Sequence, residues 1–171
     1  MCCNQSNIFK MIFQQGNPRS FLLIITISLL AISCRQVDVY EKNTPVPHYK
    51  WQHNYIVNGS FIITDTASAY NIYVVLRHTD AYKYNNIWLN TGLQAPGDTM
   101  RFQKVNLILA TDASGWEGTG MNDIWEIRKL LNERPLRFKK GGAYKFSINH
   151  IMRDDPLPDI MSAGMRVQKA N

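Results

Sequence analysis

Cysteine is almost absent from this chain: among 171 residues only Cys2, Cys3 and Cys34 carry a thiol, and none follows Cys34. Everything downstream is therefore without disulfides, zinc thiolates or a cysteine nucleophile. His48, His53, His78 and His150 are scattered without a paired metal-ligand spacing, so no metal and no cofactor is expected. No Gly-x-Ser-x-Gly elbow occurs, and Gly115, Gly118 and Gly120 have no lysine after them to build a phosphate loop. Asp112 with Glu117, or Asp154 with Asp155, are formally available as carboxylate pairs, but both sit in turn-like segments where acidic residues are common. The expectation is a protein that is not an enzyme. Long apolar runs are missing too. The run over residues 21–32 has twelve residues, against the roughly 20 that a membrane-crossing helix needs.

A large excess of one charge is also lacking. The chain has 19 basic and 13 acidic side chains, a net +6, which becomes +4 without Lys10 and Arg19. That balance, with no concentrated basic face interleaved with aromatic readers, argues against nucleic acid as a partner.

What is present is an address. Lys10 and Arg19 precede the apolar run, and Leu30, Ala31, Ile32 and Ser33 lead into Cys34. A basic region, a short hydrophobic region and a small residue before a cysteine make a bacterial lipoprotein signal peptide over 1–33. Cleavage after Ser33 makes Cys34 the lipid attachment residue, acylated with palmitate-class chains. Each buried methylene adds about 0.8 kcal/mol of membrane affinity, so two or three chains anchor the protein durably. Met1 and Met11 are both compatible starts, since either keeps Arg19 and the whole run. Residues 34–50, with Pro45 and Pro47 among polar neighbours, read as the lipidated cysteine and a short extended tether.

Residues 51–171 read as a single all-β domain. Period-two alternation recurs in short runs separated by Gly, Asn, Asp and Pro: 60–64, 70–77, 86–93, 101–109, 143–152 and 164–168. In 70–77 one face is Tyr70, Ile72, Val74 and Leu76. Residues 124–131 satisfy helical spacing as well as alternation, with the strand preferred because the neighbours are strands. Seven or eight strands predict an antiparallel, jelly-roll-like β-sandwich.

Aromatics are dense: Tyr70, Tyr73, Tyr82, Tyr84 and Trp88 cluster, and Trp51, Trp116 and Trp125 add large rings. Packing between strands is the ordinary use of such residues, and stacking on sugar rings the alternative. Trp116, flanked by glycines, is the best exposed candidate; Trp88 and Arg153 join it as candidate partner or glycan contacts. Arg134, Arg137, Lys139 and Lys140 form a basic run that either meets anionic lipid heads or discourages edge-to-edge pairing. Thr66 in Asp65-Thr66-Ala67 and Thr99 in Asp98-Thr99-Met100 match a short O-glycosylation pattern of some exported proteins.

Together these residues resemble one family, the GldH gliding-motility lipoproteins. The resemblance runs through Cys34, Val39 to Glu41, Trp51, Phe61 before Asp65, 70–77 followed by Tyr82, 86–89, Asp112 with Gly115, Trp116 and Gly118, Gly142 with Tyr144, Met152 with Arg153, and Gly164 with Arg166. It implies a lipid-anchored accessory component of the gliding machinery, an apparatus linked to protein export, that docks other envelope proteins. A carbohydrate- or peptidoglycan-binding envelope lipoprotein is the alternative. Arg35 after the cysteine is consistent with sorting to the outer membrane, and Asp38 alone makes a poor surface-export cluster, so the periplasmic face is expected.

Overall fold

Alternation sets the strands, and the sheets follow from which faces are apolar. A computed structural model of the chain describes residues 38–170; the signal peptide 1–33 and Cys34 lie outside the described residues. Eight long strands build the domain: β1 (Asp38–Pro45), β2 (Val57–Ile63), β3 (Tyr70–Thr79), β4 (Asn86–Gln94), β5 (Arg101–Ile108), β6 (Ile124–Leu130), β7 (Gly142–His150) and β8 (Ile160–Lys169). In β3 the residues Tyr70, Ile72, Val74 and Leu76 are buried as the period-two pattern requires.

The pairing is nested. β1 pairs with β8, β2 with β7, β3 with β6 and β4 with β5, all antiparallel. Two further ladders, β8 with β3 and β7 with β4, complete the sheets β1-β8-β3-β6 and β2-β7-β4-β5. This is the jelly-roll order, a long antiparallel hairpin of four strand pairs folded over on itself into a two-sheet sandwich. The short strand Thr119–Met121 extends the first sheet beyond β6.

The core between the sheets is aromatic at one end and aliphatic in the middle. Phe61 of β2 stacks on Tyr144 of β7 at 5.7 Å between ring centroids, and Phe138 closes against Tyr70 at 5.3 Å and Tyr144 at 4.6 Å. Tyr40 of β1 crosses from the other sheet to meet Phe61 at 5.8 Å and Phe146 at 5.9 Å. The outer face of the first sheet carries instead a ladder of ion pairs. Arg77 and Arg128 hold Glu126 at 2.6 and 2.9 Å, and Arg166 holds Glu41 at 2.6 Å.

Two readings of the sequence need correction. Within the segment 34–50 read as a tether, Asp38–Pro45 is β1, in register with β8 from Asp38 opposite Gln168 to Pro45 opposite Ser162. It then turns through Pro47–Tyr49 into a two-residue ladder, Lys50–Trp51 with Leu157–Pro158. An edge strand tolerates charges and a terminal proline, which is why this one is polar enough to read as a linker. The last strand also runs longer than 164–168. The ambiguous stretch 124–131 is a strand over Ile124–Leu130, because its apolar Ile127 pairs with Leu76 and faces the core.

Candidate functional site

One end of the sandwich is closed by the segment from Leu131 to Gly141, and the physical reason it holds still is a set of backbone contacts. Asn132 accepts the Ile72 N–H at 2.7 Å and donates to the carbonyls of Tyr70 (3.2 Å) and Arg134 (2.8 Å). Tyr70 and Leu136 bond in both directions at 2.8 Å. Phe138 is buried as a plug between the sheets, and Tyr144 Oη donates to the Lys140 carbonyl at 2.8 Å. The loop therefore presents its basic residues from a fixed frame.

Between this loop and the β4–β5 turn lies a half-open groove of about 890 Å³. Its walls include the apolar Ile72, Leu93, Phe102, Phe138 and Met165, and its rim carries Arg101, Arg134, Arg137, Lys139 and Lys140 against Asp98 and Glu133. Lys140 reaches across to the Pro96 carbonyl at 3.3 Å. Such a groove suits an extended partner with apolar side chains and acidic flanks. β1 begins at this same end, since Asp38 lies opposite Gln168 and Lys169 opposite Tyr70.

The other end of β7 gathers groups that the sequence leaves scattered. His150 is fully buried, and its Nε2–H donates to the Trp51 carbonyl at 2.8 Å while Nδ1 has no partner. The His53 ring lies 4.4 Å from it between centroids. His53 Nε2–H donates to the Met152 carbonyl at 2.9 Å, and Nδ1 faces Asp155 Oδ2 at 3.3 Å. Asp155 also accepts the His53 backbone N–H at 2.9 Å. Burial, and then the nearby His53, pulls the His150 pKa down to about 4, so its ring is neutral at neutral pH. No sequence spacing signals this cluster, because two of its members come from the loop between β7 and β8 or its edge and the third lies about a hundred residues earlier.

Of the contact candidates, Trp88 is 43% exposed on the outer face of β4. It sits among amides: Asn86 donates to Asn106 at 2.8 Å and Asn90 to Asn149 at 3.4 Å. Trp116 is not the exposed loop ring expected of it. It belongs to a two-residue ladder with Ala110–Thr111, and its half-buried ring lies 4.6 Å from that of buried His78. Arg153 is exposed in the loop between β7 and β8. Thr66 and Thr99 are both exposed. Thr66 occupies a turn pinned by Asp65, which accepts the backbone N–H groups of Ala67 (2.9 Å) and Ser68 (3.1 Å). Lys169 beside Asp65, with Ser68, holds that carboxyl well below the usual carboxylate range. Among the described residues no helix is long and apolar enough to cross a membrane.

The nested pairing of eight long strands defines an antiparallel jelly-roll β-sandwich with a basic-rimmed groove at one end. Residues 38–167 match the family described as GldH lipoprotein, and the chain belongs to that family. It is 26% identical over 158 residues to the gliding motility lipoprotein GldH homolog of Christiangramia forsetii, covering 88% of this chain and 95% of that protein. To the gliding motility lipoprotein GldH of Flavobacterium johnsoniae it is 24% identical over 154 residues, covering 86% and 94%. Among solved structures, the infectious bursal disease virus VP2 subviral particle aligns over 78% of this chain and 32% of its own at 14% identity and a TM-score of 0.32, too distant to bear on fold or function.

Proposed function

We propose that this chain is a lipid-anchored, non-enzymatic accessory component of the gliding machinery, which holds another envelope protein in the groove at its membrane-proximal end. Anchorage at Cys34 leaves three residues, Arg35, Gln36 and Val37, before β1, so Cys34 and Asp38 are at most about 14 Å apart along extended chain. The end of the sandwich that carries the groove and the basic loop then faces the bilayer. The observation that carries the reading is the groove itself, apolar within and basic at its rim, at the end where β1 begins. The names of the relatives supply the gliding context, and the outer membrane with its periplasmic face is the location proposed.

The test is purification of the chain in mild detergent from cells that carry it, comparing the native protein with the R134E/R137E/K139E/K140E form. The reading expects identified envelope proteins to accompany the native chain and to be lost from the reversed one. The same proteins recovered with both forms would contradict it.

A second reading, glycan binding, is supported by Trp88 among its amide neighbours, with Phe102 on the same face 61% exposed. A flat ring bordered by side-chain amides is the surface that sugar rings stack on. Glycan binding lost in Trp88→Ala and retained after reversal of the basic loop would favour this reading over docking.

A further inference from the structure

We propose that His53, His150 and Asp155 form a binding site for a divalent transition-metal ion, with zinc the ion that two imidazoles and one carboxylate suit best. One donor atom from each residue lies within 4.8 Å of the other two.

The hydrogen bonds decide which atoms are available. A carbonyl can only accept, so the Trp51 and Met152 carbonyls fix a proton on Nε2 of His150 and of His53. In both rings the atom left over is Nδ1, which is the arrangement found in protein metal sites, where the second nitrogen of each ligating ring donates to a carbonyl. His150 Nδ1 is buried with no partner, and a buried acceptor left alone is costly. His53 Nδ1 faces a carboxylate oxygen at 3.3 Å, a place for a cation or a proton rather than for two lone pairs. The second carboxylate oxygen is held by the His53 backbone N–H, so Asp155 too is oriented.

Zinc holds nitrogen and oxygen ligands at about 2.0–2.2 Å, so the three donors must draw together by roughly 1–1.5 Å. The side chains of His53 and Asp155 are 43% and 44% exposed and provide that movement, while His150 stays fixed under the Trp51 ring, 5.3 Å away. Three protein ligands leave a fourth position open to water. In a domain without thiols the ion would clip the segment that follows β1 to the loop between β7 and β8.

The experiment uses the full chain in detergent with Cys2, Cys3 and Cys34 changed to serine in every form, so that no thiolate competes. After stripping with EDTA and dialysis against zinc chloride, metal content and thermal midpoint are measured for the parent, His53→Ala, Asp155→Ala and the control His48→Ala. The proposal expects one zinc per parent chain, a midpoint raised by zinc and returned by EDTA, the same for His48→Ala, and affinity at least tenfold lower for His53→Ala and Asp155→Ala. His53 and Asp155 are exposed, so these forms fold. A parent that takes up no zinc, leaving a His53–Asp155 ion pair only, overturns the proposal, as does undiminished binding by His53→Ala and Asp155→Ala.

Discussion

Tyr70 and Leu136 exchange both backbone hydrogen bonds at 2.8 Å, and this one bridge fastens the basic loop to the end of the sandwich where β1 starts and β8 finishes. The start of β1 and the basic-rimmed groove thus lie at the same end of the sandwich. The relationship makes β1 more than a spacer, and it can be tested through folding alone.

A chain shortened to residues 51–171, the boundary that the sequence pattern suggests, loses β1 and with it Tyr40 against Phe61 and Phe146. It also exposes the edge of β8, a long strand with unpaired backbone groups. The shortened chain is expected to aggregate or to melt without cooperativity, while the same truncation placed before residue 38 leaves a cooperative transition. Circular dichroism melts and size-exclusion profiles of the two forms check this; equal melting would show that β1 is dispensable.

Gly164 sits in β8 opposite Asn43 of β1, and a Cβ there would overlap the Lys42 carbonyl. The neighbour in conflict is backbone, so it cannot swing aside. Gly164→Ala should push β1 from the sheet at a cost of about 1–3 kcal/mol, the range for overpacked sites. Urea unfolding measures it, and a change below about 0.5 kcal/mol would mean that β1 is loosely held.

The two tryptophans singled out by sequence should separate cleanly. Trp116→Ala removes a half-buried ring from His78 and the core beside it, and is expected to cost about 2–3 kcal/mol. Trp88→Ala trims an exposed ring and should stay within about 0.5 kcal/mol. Denaturant midpoints of both variants decide, and equal losses would contradict the placement of Trp116.

His78 is fully buried, donates from Nδ1 to the Thr79 carbonyl at 2.8 Å, and has no partner at Nε2. Burial holds its pKa below the usual histidine value. The unfolded chain takes up the proton at about pH 6.5 and the folded chain only lower, so the unfolded state binds more protons in that window. Stability is therefore fully present above about pH 6.5 and is lost as the pH falls below it; His150, also lowered, acts with the same sign. Urea midpoints in EDTA should drop between pH 7.5 and 5.5, and less steeply in His78→Asn. A flat profile, or one unchanged by the substitution, would contradict this.

The legible parts of the fold were those in which one strand's own residues carry the signal. In β3 and β7 the alternation of Tyr70, Ile72, Val74 and Leu76, or of Tyr144, Phe146, Ile148 and His150, reports burial on one face directly. β1 escaped because an edge strand buries little: Tyr40 reaches the core, and Glu41, Lys42 and Pro45 look like a linker. The nested pairing order joins residues as far apart as Asp38 and Gln168, which local pattern does not encode. Distance along the chain likewise hid the cluster of His53, His150 and Asp155. Trp116 misled for another reason: glycines at 115, 118 and 120 signal a turn, and a turn can still fold its ring back onto a buried histidine.

The proposed docking requires the groove and the lipid at Cys34 to act together. The most direct measurement places a photo-crosslinking residue at Leu136, on the groove, or at Met121, which is 74% exposed at the other end, in living cells carrying Cys34 or Cys34→Ala. An identified envelope protein attached at Leu136, absent at Met121 and lost with Cys34→Ala, is the result expected. The same product from both positions, or its undiminished recovery without Cys34, would contradict the account.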